Sequence, residues 1–324
     1  MNGCEDPYRL PVPMTLEARF DAAGFLQLRG LVPPGLRLAQ EALTGGYWNQ
    51  VVRVRGRGLD LVVKRFHDGR GPLRFPNLPD AEAAALQRLA PSGHVPAFRA
   101  YFRDEPDRRP ILVYDFVSGR PWDADPGAVG RALQAIHALR LPADPAPFRR
   151  LAFRAGSMAR EVARMAEETP AVQQTARWQA LAQVAPPPRE LPVPPALSVV
   201  HTDCGPGNLI EAADGEKPGG RVVVIDWQCC GAGDPAEDLY AFLSPAFQIL
   251  SRREPLHSGE RARFLVGHGD GAAEARLAVL LPYYAHRMLA YCALRTLSLA
   301  GDDPEAAARY ARAFDAEFAE VFPP

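Results

Sequence analysis

The segment His201–Asp238 reads HTDCGPGNLIEAADGEKPGGRVVVIDWQCCGAGDPAED, and its pattern decides which fold the rest of the chain is expected to form. One apolar run leads into Asp203, and a second apolar run leads into Asp226. Asn208 comes five residues after the first of these carboxylates, and a glycine-containing turn separates it from the second. The spacing predicts two strands that each deliver a carboxylate, with an amide on the loop between them.

This set of side chains suits phosphoryl transfer. The reaction needs little covalent chemistry from the protein, but it needs an acceptor hydroxyl held in line and Mg²⁺ ions that neutralise the phosphate oxygens. Two aspartates and an asparagine on neighbouring loops could supply these groups.

The order H-x-D-x-x-x-x-N, a hairpin and an apolar strand ending in Asp resembles the catalytic and metal-binding segments of the kinase fold. In this chain Trp227 follows the second aspartate, and the sequence GAGDPAED comes shortly afterwards. That variant resembles the aminoglycoside phosphotransferase and choline kinase family, whose members phosphorylate small molecules. A lone H-x-D would mean little, whereas the ordered set in matching strand and loop contexts is a strong signal. The resemblance covers about Leu43 to the C-terminus.

The resemblance implies an α+β, two-lobed protein-kinase-like fold. Its parts would be an N-terminal arm (1–40), a nucleotide-binding small lobe with a small antiparallel β-sheet (41–118), and a larger, mainly helical lobe for catalysis and acceptor binding (119–324). The resemblance also implies ATP and Mg²⁺ as cofactors.

Roles within the quoted segment follow from the same resemblance. Asp203 is expected to accept the proton of the substrate hydroxyl, and Asn208 and Asp226 are expected to bind the metal. His201 is expected to anchor the loop through its ring nitrogens, without acting as a base.

The segment Leu43–Gln50 predicts a glycine-containing turn between stretches of alternating hydrophobicity. Glycines allow backbone amides to approach phosphate oxygens closely, although a hairpin without a ligand explains them equally well. The turn resembles the loose G-G-x-x-N nucleotide loop of small-molecule kinases. This implies nucleotide contacts for Gly45, Gly46 and Asn49.

Lys64 is one of only two lysines in a chain whose basic residues are otherwise arginines. It follows two valines on a predicted strand, in the manner of the V-A-I-K strand of kinases. Because the two cation types are not interchangeable, a lone strand lysine favours a site that needs a compact ammonium. Its expected partner is Glu82, on a predicted helix over 79–89, where a solvated glutamate is the alternative.

Two further strands are predicted over 98–102 and 111–116, and they complete the small sheet. The segment Leu112–Gly119 resembles the strand and hinge that meet adenine through backbone groups in this family. That implies nucleotide contacts for Asp115 and Val117. An ordinary strand that ends at Gly119 would have the same sequence pattern. Only the position of this segment in the chain therefore supports its assignment as the hinge.

Composition narrows the possible partners. The formal net charge is −1, which favours neither nucleic acid nor an anionic membrane. No apolar run approaches the ~20 residues of a membrane span, and the N-terminus lacks a signal-peptide pattern, so a cytoplasmic protein is expected. The five cysteines contain no C-x-x-C pair, so neither a disulfide framework nor a zinc site is predicted.

The acceptor is predicted to be small because few residues separate Trp227 from Gly233. Protein kinases insert a long activation segment there, on which a peptide lies; no peptide substrate is expected in this case. The leading interpretation is a metabolic kinase for a small-molecule hydroxyl, such as an amino alcohol or sugar. An aminoglycoside-type antibiotic phosphotransferase is the alternative, and a catalytically silent nucleotide-binding regulatory protein is an alternative of another class.

The remaining patterns predict mostly helix. A short strand is predicted at Phe25–Leu28, and a helix start at Thr15. Asp234 and Asp238 are expected to tie the catalytic loop to a helix that begins near residue 236. Helices are predicted over 153–168, 171–184, 236–250, 274–299 and 304–321, with prolines 245 and 282 bending or breaking two of them. The polar side chains of Tyr283, Tyr284, His286 and Arg287 favour core packing over substrate contact.

Overall fold

The computed structural model describes residues 20–43, 49–67, 74–103, 109–123, 125–151, 154–213 and 220–323. The predicted helix start at Thr15 and the predicted nucleotide contacts of Gly45 and Gly46 lie outside the described residues. Within the described part the chain forms two lobes, a β-rich N-terminal one and a mainly helical C-terminal one. This is the predicted α+β architecture.

The small lobe is a five-stranded antiparallel sheet. Its strands are β1 (Ala39–Ala42), β2 (Gln50–Gly56), β3 (Leu59–Arg65), β4 (Phe98–Phe102) and β5 (Ile111–Asp115), in the order β1-β2-β3-β5-β4. Helix α1 (Ala22–Leu28) packs on one face with Leu61 and Val63, whereas Lys64 points to the opposite face. The period of two along β3 therefore separates core positions from the cleft. Helix α2 (Pro79–Leu89) supplies Glu82 on that second face.

The strand predicted at Phe25–Leu28 is wrong, because these residues belong to α1. Asp21 caps the helix by accepting a hydrogen bond from the Gly24 amide at 2.9 Å. Phe25 and Leu26 are buried against the sheet. Three apolar residues within the four-residue segment Phe25–Leu28 are compatible with a strand and with one buried turn of helix. The N-cap at Asp21 favours the helix.

The large lobe contains the remaining helices and two small strand groups. Its helices are α3 (Pro126–His137), α4 (Ala155–Glu168), α5 (Ala176–Gln183), α6 (Ala236–Leu243), α7 (Pro245–Leu250), α8 (Ser258–His268), α9 (Gly271–Leu299) and α10 (Pro304–Val321). Its strands are β6 (Gly119–Pro121), β7 (Ser198–Val200), β8 (Leu209–Ala212), β9 (Arg221–Val224) and β10 (Gly231–Gly233). Antiparallel pairs join β6 to β8, β8 to β9, and β7 to β10.

Several helix predictions change in detail. Pro245 opens α7 and so breaks the predicted helix, as expected, whereas Pro282 lies inside a continuous α9 and does not break it. The helix predicted over 171–184 is a 3₁₀ turn followed by α5. Helix α8 was not predicted; Gly130 of α3 allows it to pack closely, because a Cβ there would collide with the Phe264 carbonyl.

The boundary between the lobes lies near the predicted hinge. Strand β6 begins at Gly119, directly after the hinge, and already pairs with β8 of the large lobe. The division at residues 40/41 and 118/119 stays a prediction. Helix α9 is long and apolar enough to cross a membrane by length and composition, but 78% of its most apolar window is buried in the protein, as in a core helix.

Candidate active site

The strand register brings the carboxylates of the quoted segment together. Antiparallel pairing of Leu209 with Val224 places Asn208 opposite Ile225, whose amide donates to the Asn208 carbonyl at 2.9 Å. Asp226 comes next in the chain and therefore lies beside Asn208. Asp203, Asn208 and Asp226 line one cavity. The spacing H-x-D-x-x-x-x-N, hairpin, Asp thus folds into a single cluster.

Asn208 is oriented by its amide nitrogen. Its Nδ2 donates to the Asp203 carbonyl at 2.8 Å and to Asp203 Oδ2 at 3.2 Å. Both amide protons are then used, and Asn208 Oδ1 receives no hydrogen bond within the described part of the chain. One oxygen of this side chain is therefore left to face a ligand.

Asp226 has backbone φ of 63°, in the left-handed region that non-glycine residues seldom adopt. Its Oδ1 accepts a hydrogen bond from Lys64 Nζ at 2.5 Å. Among the described residues no hydrogen bond reaches its second carboxylate oxygen. Strain of this kind is retained at functional sites when the surrounding structure enforces it.

The oxygens of Asn208 and Asp226 suit Mg²⁺, which binds one or two protein oxygen donors together with substrate phosphates. No cluster of three or more His, Cys, Asp or Glu side chains that would hold a metal by itself occurs among the described residues. A Mg²⁺ ion held by this pair would therefore complete its ligand set with phosphate oxygens and water.

Lys64 occupies the boundary between the lobes. Its ammonium lies 2.7 Å from Glu82 Oε2 and 2.5 Å from Asp226 Oδ1, and its side chain is 3% exposed. Burial lowers the pKa of Lys64, but the carboxylates of Asp226 and Glu82 more than reverse this effect and hold the group charged. The structure thus forms the predicted Lys64–Glu82 pair and adds a contact between Lys64 and Asp226.

Asp203 stands at the wall of the cavity, half-buried. Burial raises its pKa to about 6, with His201 opposing the rise and Asp226 adding to it. A carboxylate with a pKa near neutrality can accept a proton from a reacting hydroxyl and later release it.

The back of the catalytic loop is fixed by buried hydrogen bonds. His201 places Nε2 2.9 Å from the Ile225 carbonyl, and its Nδ1 accepts the Asp203 amide at 3.2 Å. Asp238 accepts the amides of His201 and Thr202, both at 2.8 Å. Both ring nitrogens of His201 are therefore engaged in holding the loop. Asp238 ties the loop to α6, as predicted.

Asn49 lies in a cluster of side-chain amides at the junction of the lobes. Its Nδ2 donates to Asn77 Oδ1 at 3.0 Å and to Gln228 Oε1 at 2.6 Å, while its Oδ1 accepts the His67 amide at 2.9 Å. This side chain bridges the small lobe to the residues after Asp226. A direct contact between Asn49 and nucleotide stays a prediction, and the bridge indicates an indirect role through loop position.

The hinge residues Asp115 and Val117 differ in which of their groups are already hydrogen-bonded. The Asp115 side chain forms a two-pronged pair with Arg99 at 2.6 and 2.7 Å, and its backbone amide donates to the Ala97 carbonyl at 2.9 Å. Only the Asp115 carbonyl is then left for a nucleotide. The Val117 amide has no hydrogen-bond partner among the described residues. Tyr114, which was not predicted as a site residue, precedes Asp115 in β5. Burial raises its pKa, with Lys64 opposing the rise and Glu82 adding to it.

The cavity at Asp203 measures about 270 Å³ and extends away from the small lobe. Helix α9 contributes Met288, Tyr291 and Arg295 to its wall, and α10 contributes Arg309 and Tyr310. The sequence reading missed these residues, because a helical tyrosine or arginine carries no signal of which cavity it faces. Arg287, by contrast, is core: its guanidinium lies 2.5 Å from Glu237 and 3.4 Å from Glu161.

Solved structures with the same fold cover nearly the whole chain. A spectinomycin phosphotransferase in complex with ADP and spectinomycin is 13% identical, with 95% of this chain and 96% of that chain covered and a TM-score of 0.60. A choline kinase from Streptococcus pneumoniae is 19% identical, with coverage of 90% and 97% and a TM-score of 0.57. A putative fructosamine-3-kinase from Haemophilus somnus is 14% identical, with coverage of 86% and 91% and a TM-score of 0.51.

These likenesses show the two-lobed protein-kinase-like fold. No curated protein matches the chain. The model of the phosphotransferase enzyme family matches residues 39–280, which include the sheet of the small lobe, the catalytic loop and the first turns of α9. The cluster of Lys64, Asp203, Asn208 and Asp226 lies inside that match. The chain belongs to the phosphotransferase enzyme family.

Proposed function

We propose that this protein is a Mg²⁺-dependent kinase that transfers the γ-phosphoryl group of ATP to a hydroxyl of a small molecule. One observation carries the proposal: Lys64, paired with Glu82 in the small lobe, contacts Asp226, and Asp226 lines one cavity together with Asp203 and Asn208. Membership of the phosphotransferase family supports the reaction type. The bound ADP of the structurally similar spectinomycin phosphotransferase supports a nucleotide donor.

The nucleotide would lie between the lobes. Lys64 would bind its phosphate oxygens, and Glu82 would keep the ammonium oriented, since both side chains are buried and 2.7 Å apart. The Val117 amide, which has no partner among the described residues, and the Asp115 carbonyl would meet the adenine edge. Gly45 and Gly46 are proposed to cover the phosphates.

Asn208 and Asp226 would hold the metal ion through the oxygens that receive no hydrogen bond. Bound there, Mg²⁺ would neutralise charge on the transferring phosphoryl group. Asn208 keeps its oxygen directed outward because Asp203 fixes its amide nitrogen.

The acceptor hydroxyl would donate a hydrogen bond to the Asp203 carboxylate. The hydroxyl oxygen forms the new bond to the γ-phosphorus, the bond from that phosphorus to the bridging oxygen of ADP breaks, and ADP leaves with the electron pair. The hydroxyl proton passes to Asp203. Because the transition state is loose, the carboxylate contributes mainly orientation and acceptance of the proton late in the reaction.

An antibiotic phosphotransferase and a silent nucleotide-binding regulator remain the competing interpretations. Simultaneous retention of Lys64, Asp203, Asn208 and Asp226 in one cluster opposes the silent protein, which has no chemical need for all of them. We propose a cytoplasmic location, where ATP and small metabolites are available.

The test combines binding with turnover. Calorimetric titration with ATP should show Mg²⁺-dependent binding in the wild type, and Asp226→Ala should remove the metal dependence. Purified protein with ATP and Mg²⁺ is then offered amino alcohols, sugars, nucleosides and aminoglycosides, and ADP release is followed by a coupled assay. Equal ATP affinity with Mg²⁺ and with EDTA in the wild type would contradict the proposal.

A further inference from the structure

We infer that the acceptor carries an anionic group, a carboxylate or a phosphate, about one helical turn from the hydroxyl that is phosphorylated. Arg295 and Arg309 would bind this group at the end of the cavity away from Asp203. The inference rests on the proposed kinase function, and it names the class of acceptor that the site selects.

The geometry comes from the face that α9 turns to the cavity. Met288, Tyr291, Arg295 and Leu299 line the wall, at the spacing of one helix face. Tyr291 and Asp203 line this same cavity. Since a helix rises ~1.5 Å per residue, Arg295 lies about 6 Å further along the axis than Tyr291.

Helix α10 closes the same end of the cavity. Arg309 and Tyr310 both line it, and the Arg295 guanidinium lies 5.6 Å from the centre of the Tyr310 ring. The rings of Tyr291 and Tyr310 are in edge contact, with their centres 5.9 Å apart. The two helices therefore present two guanidinium groups and two phenol groups around one space.

The charge of this wall is positive. The carboxylates that line the cavity, among the residues that the structure describes, are Asp203 and Asp226, and both belong to the transfer site. Arg309 pairs with Glu305 at 2.8 Å, but that glutamate side chain is 76% exposed and its charge is well solvated. Arginine offers a planar set of donors that matches carboxylate and phosphate oxygens.

Cationic acceptors fit this wall poorly. A polycation would need acidic side chains beyond the transfer site, and the described lining supplies none. Aromatic rings such as Phe75 and Tyr291, 4.9 Å apart, could attract a quaternary ammonium through their faces. A cation bound there would, however, lie close to Arg295 and Arg309. The rings instead suit an apolar spacer between the hydroxyl and the anionic group.

The size of the cavity points the same way. Its 270 Å³ is below the ~300–1,000 Å³ of pockets that hold drug-sized ligands. A compact hydroxy acid or hydroxy phosphate would fit within this space.

The experiment uses matched acceptors that differ only in charge. Two series of acceptors are used, one with a para-phenylene spacer and one with an aliphatic spacer of similar length. Each series contains a hydroxy carboxylate, its neutral amide and the corresponding amine. Turnover with Mg-ATP and calorimetric binding in the presence of a non-hydrolysable ATP analogue are measured for all. We expect kcat/KM for the acids to exceed that for the amides by roughly tenfold to a hundredfold, from hydrogen bonds to a charged group. The amines should be poorest.

Arg309→Gln should lower the ratio of kcat/KM for the acid to kcat/KM for the amide by about tenfold. Arg312→Gln is the matched control, because Arg312 lies on the same helix, is 66% exposed and does not line the cavity. Arg295→Lys should retain part of the preference and Arg295→Gln should lose it, which separates charge from packing. Acids that bind no better than amides, or a preference for amines, would overturn the inference.

The outcome is distinguishable from failure of the proposed function. Mg²⁺-dependent ATP binding with turnover of amines alone would leave the kinase assignment standing and overturn only the anionic acceptor. Absence of Mg²⁺-dependent ATP binding would overturn both.

Discussion

The catalytic loop has two sides that differ in how their polar groups are used. Behind it, the Asp238 carboxylate accepts the amides of His201 and Thr202 and lies 3.1 Å from His137 Nε2. In front of it, Asn208 Oδ1 and one oxygen of Asp226 receive no hydrogen bond from the described residues. The back is buried, and the front borders the cavity.

The difference separates stability from chemistry. Buried polar groups with full sets of partners fix one conformation, and removing a partner leaves a costly desolvated group. Groups without partners add little to stability and are available to a ligand. Substitutions in front should therefore change turnover with little loss of stability, whereas substitutions behind should change both.

Asp203→Asn is expected to have the largest effect. It keeps the shape of the side chain and removes the proton acceptor, so turnover should fall by ~10² to ~10⁴, the usual range of general-base help. Mg-ATP affinity should stay within a few-fold, since the side chain faces the acceptor. Coupled assay and calorimetry separate the two effects, and urea unfolding should match the wild type. Loss of nucleotide binding in a folded variant would show that Asp203 acts on the nucleotide and not on the acceptor.

Lys64→Arg tests the small-lobe partner of Asp226, which is buried and paired and so lies outside the comparison of front and back. A guanidinium does not reproduce a compact ammonium buried between Glu82 and Asp226, so turnover should fall by about a hundredfold, the worth of a strong charge-assisted hydrogen bond. Lys64→Ala should be only slightly worse.

Arg65→Lys, on the next position of β3 and outside the pair, is the control. Near-normal turnover in Lys64→Arg would mean that the ammonium geometry is unimportant for the nucleotide.

The front of the site was largely predictable because its signal is local and ordered. Asp203, Asn208 and Asp226 are fixed by strand ends and a hairpin, and antiparallel pairing brings strand ends together whatever the rest of the chain does. Lys64 was visible because arginine fills almost every other basic position. Asn49 was read as a ligand of nucleotide, and only the fold shows that its amide bonds to Asn77 and Gln228.

The acceptor end was not predictable, since it depends on how two helices pack. Arg287 and Arg295 lie on the same helix and both are buried, but one meets Glu237 and the other lines the cavity. Nothing in their neighbouring residues distinguishes them. Helix α8 escaped prediction because its N-cap is His257, which is not among the usual capping residues.

Asp238→Asn tests the back of the loop. The amide keeps one acceptor oxygen but loses the charge that serves the amides of His201 and Thr202, so the free energy of unfolding should fall by about 2 kcal/mol. Turnover should fall with it, because the loop loses its anchor. Urea unfolding measures the first effect, and Asp315→Asn at an exposed surface pair is the control. Unchanged stability would show that the back of the loop is held by packing alone.

Beside His137 at the back of the loop, His268 gives a pH-dependent effect on stability. Its Nε2 lies 3.2 Å from His137 Nδ1, and burial lowers its pKa to about 4, with His137 adding to the shift. The unfolded chain takes up a proton below its ordinary pKa of ~6.5, whereas the folded protein does so only near 4, so the free energy of unfolding should fall as pH decreases through that window.

The loss should be about 2 kcal/mol between pH 7 and pH 5, measured as the change in urea midpoint at fixed slope. His268→Gln should flatten this dependence, because the group that titrates only in the unfolded state is gone. His257→Asn is the control: it caps the same helix, its side chain is 68% exposed, and asparagine preserves the cap. If the wild type and His268→Gln lose stability equally between pH 7 and pH 5, the proton is taken up at another residue. The contact between His137 and His268 would then not account for the pH dependence.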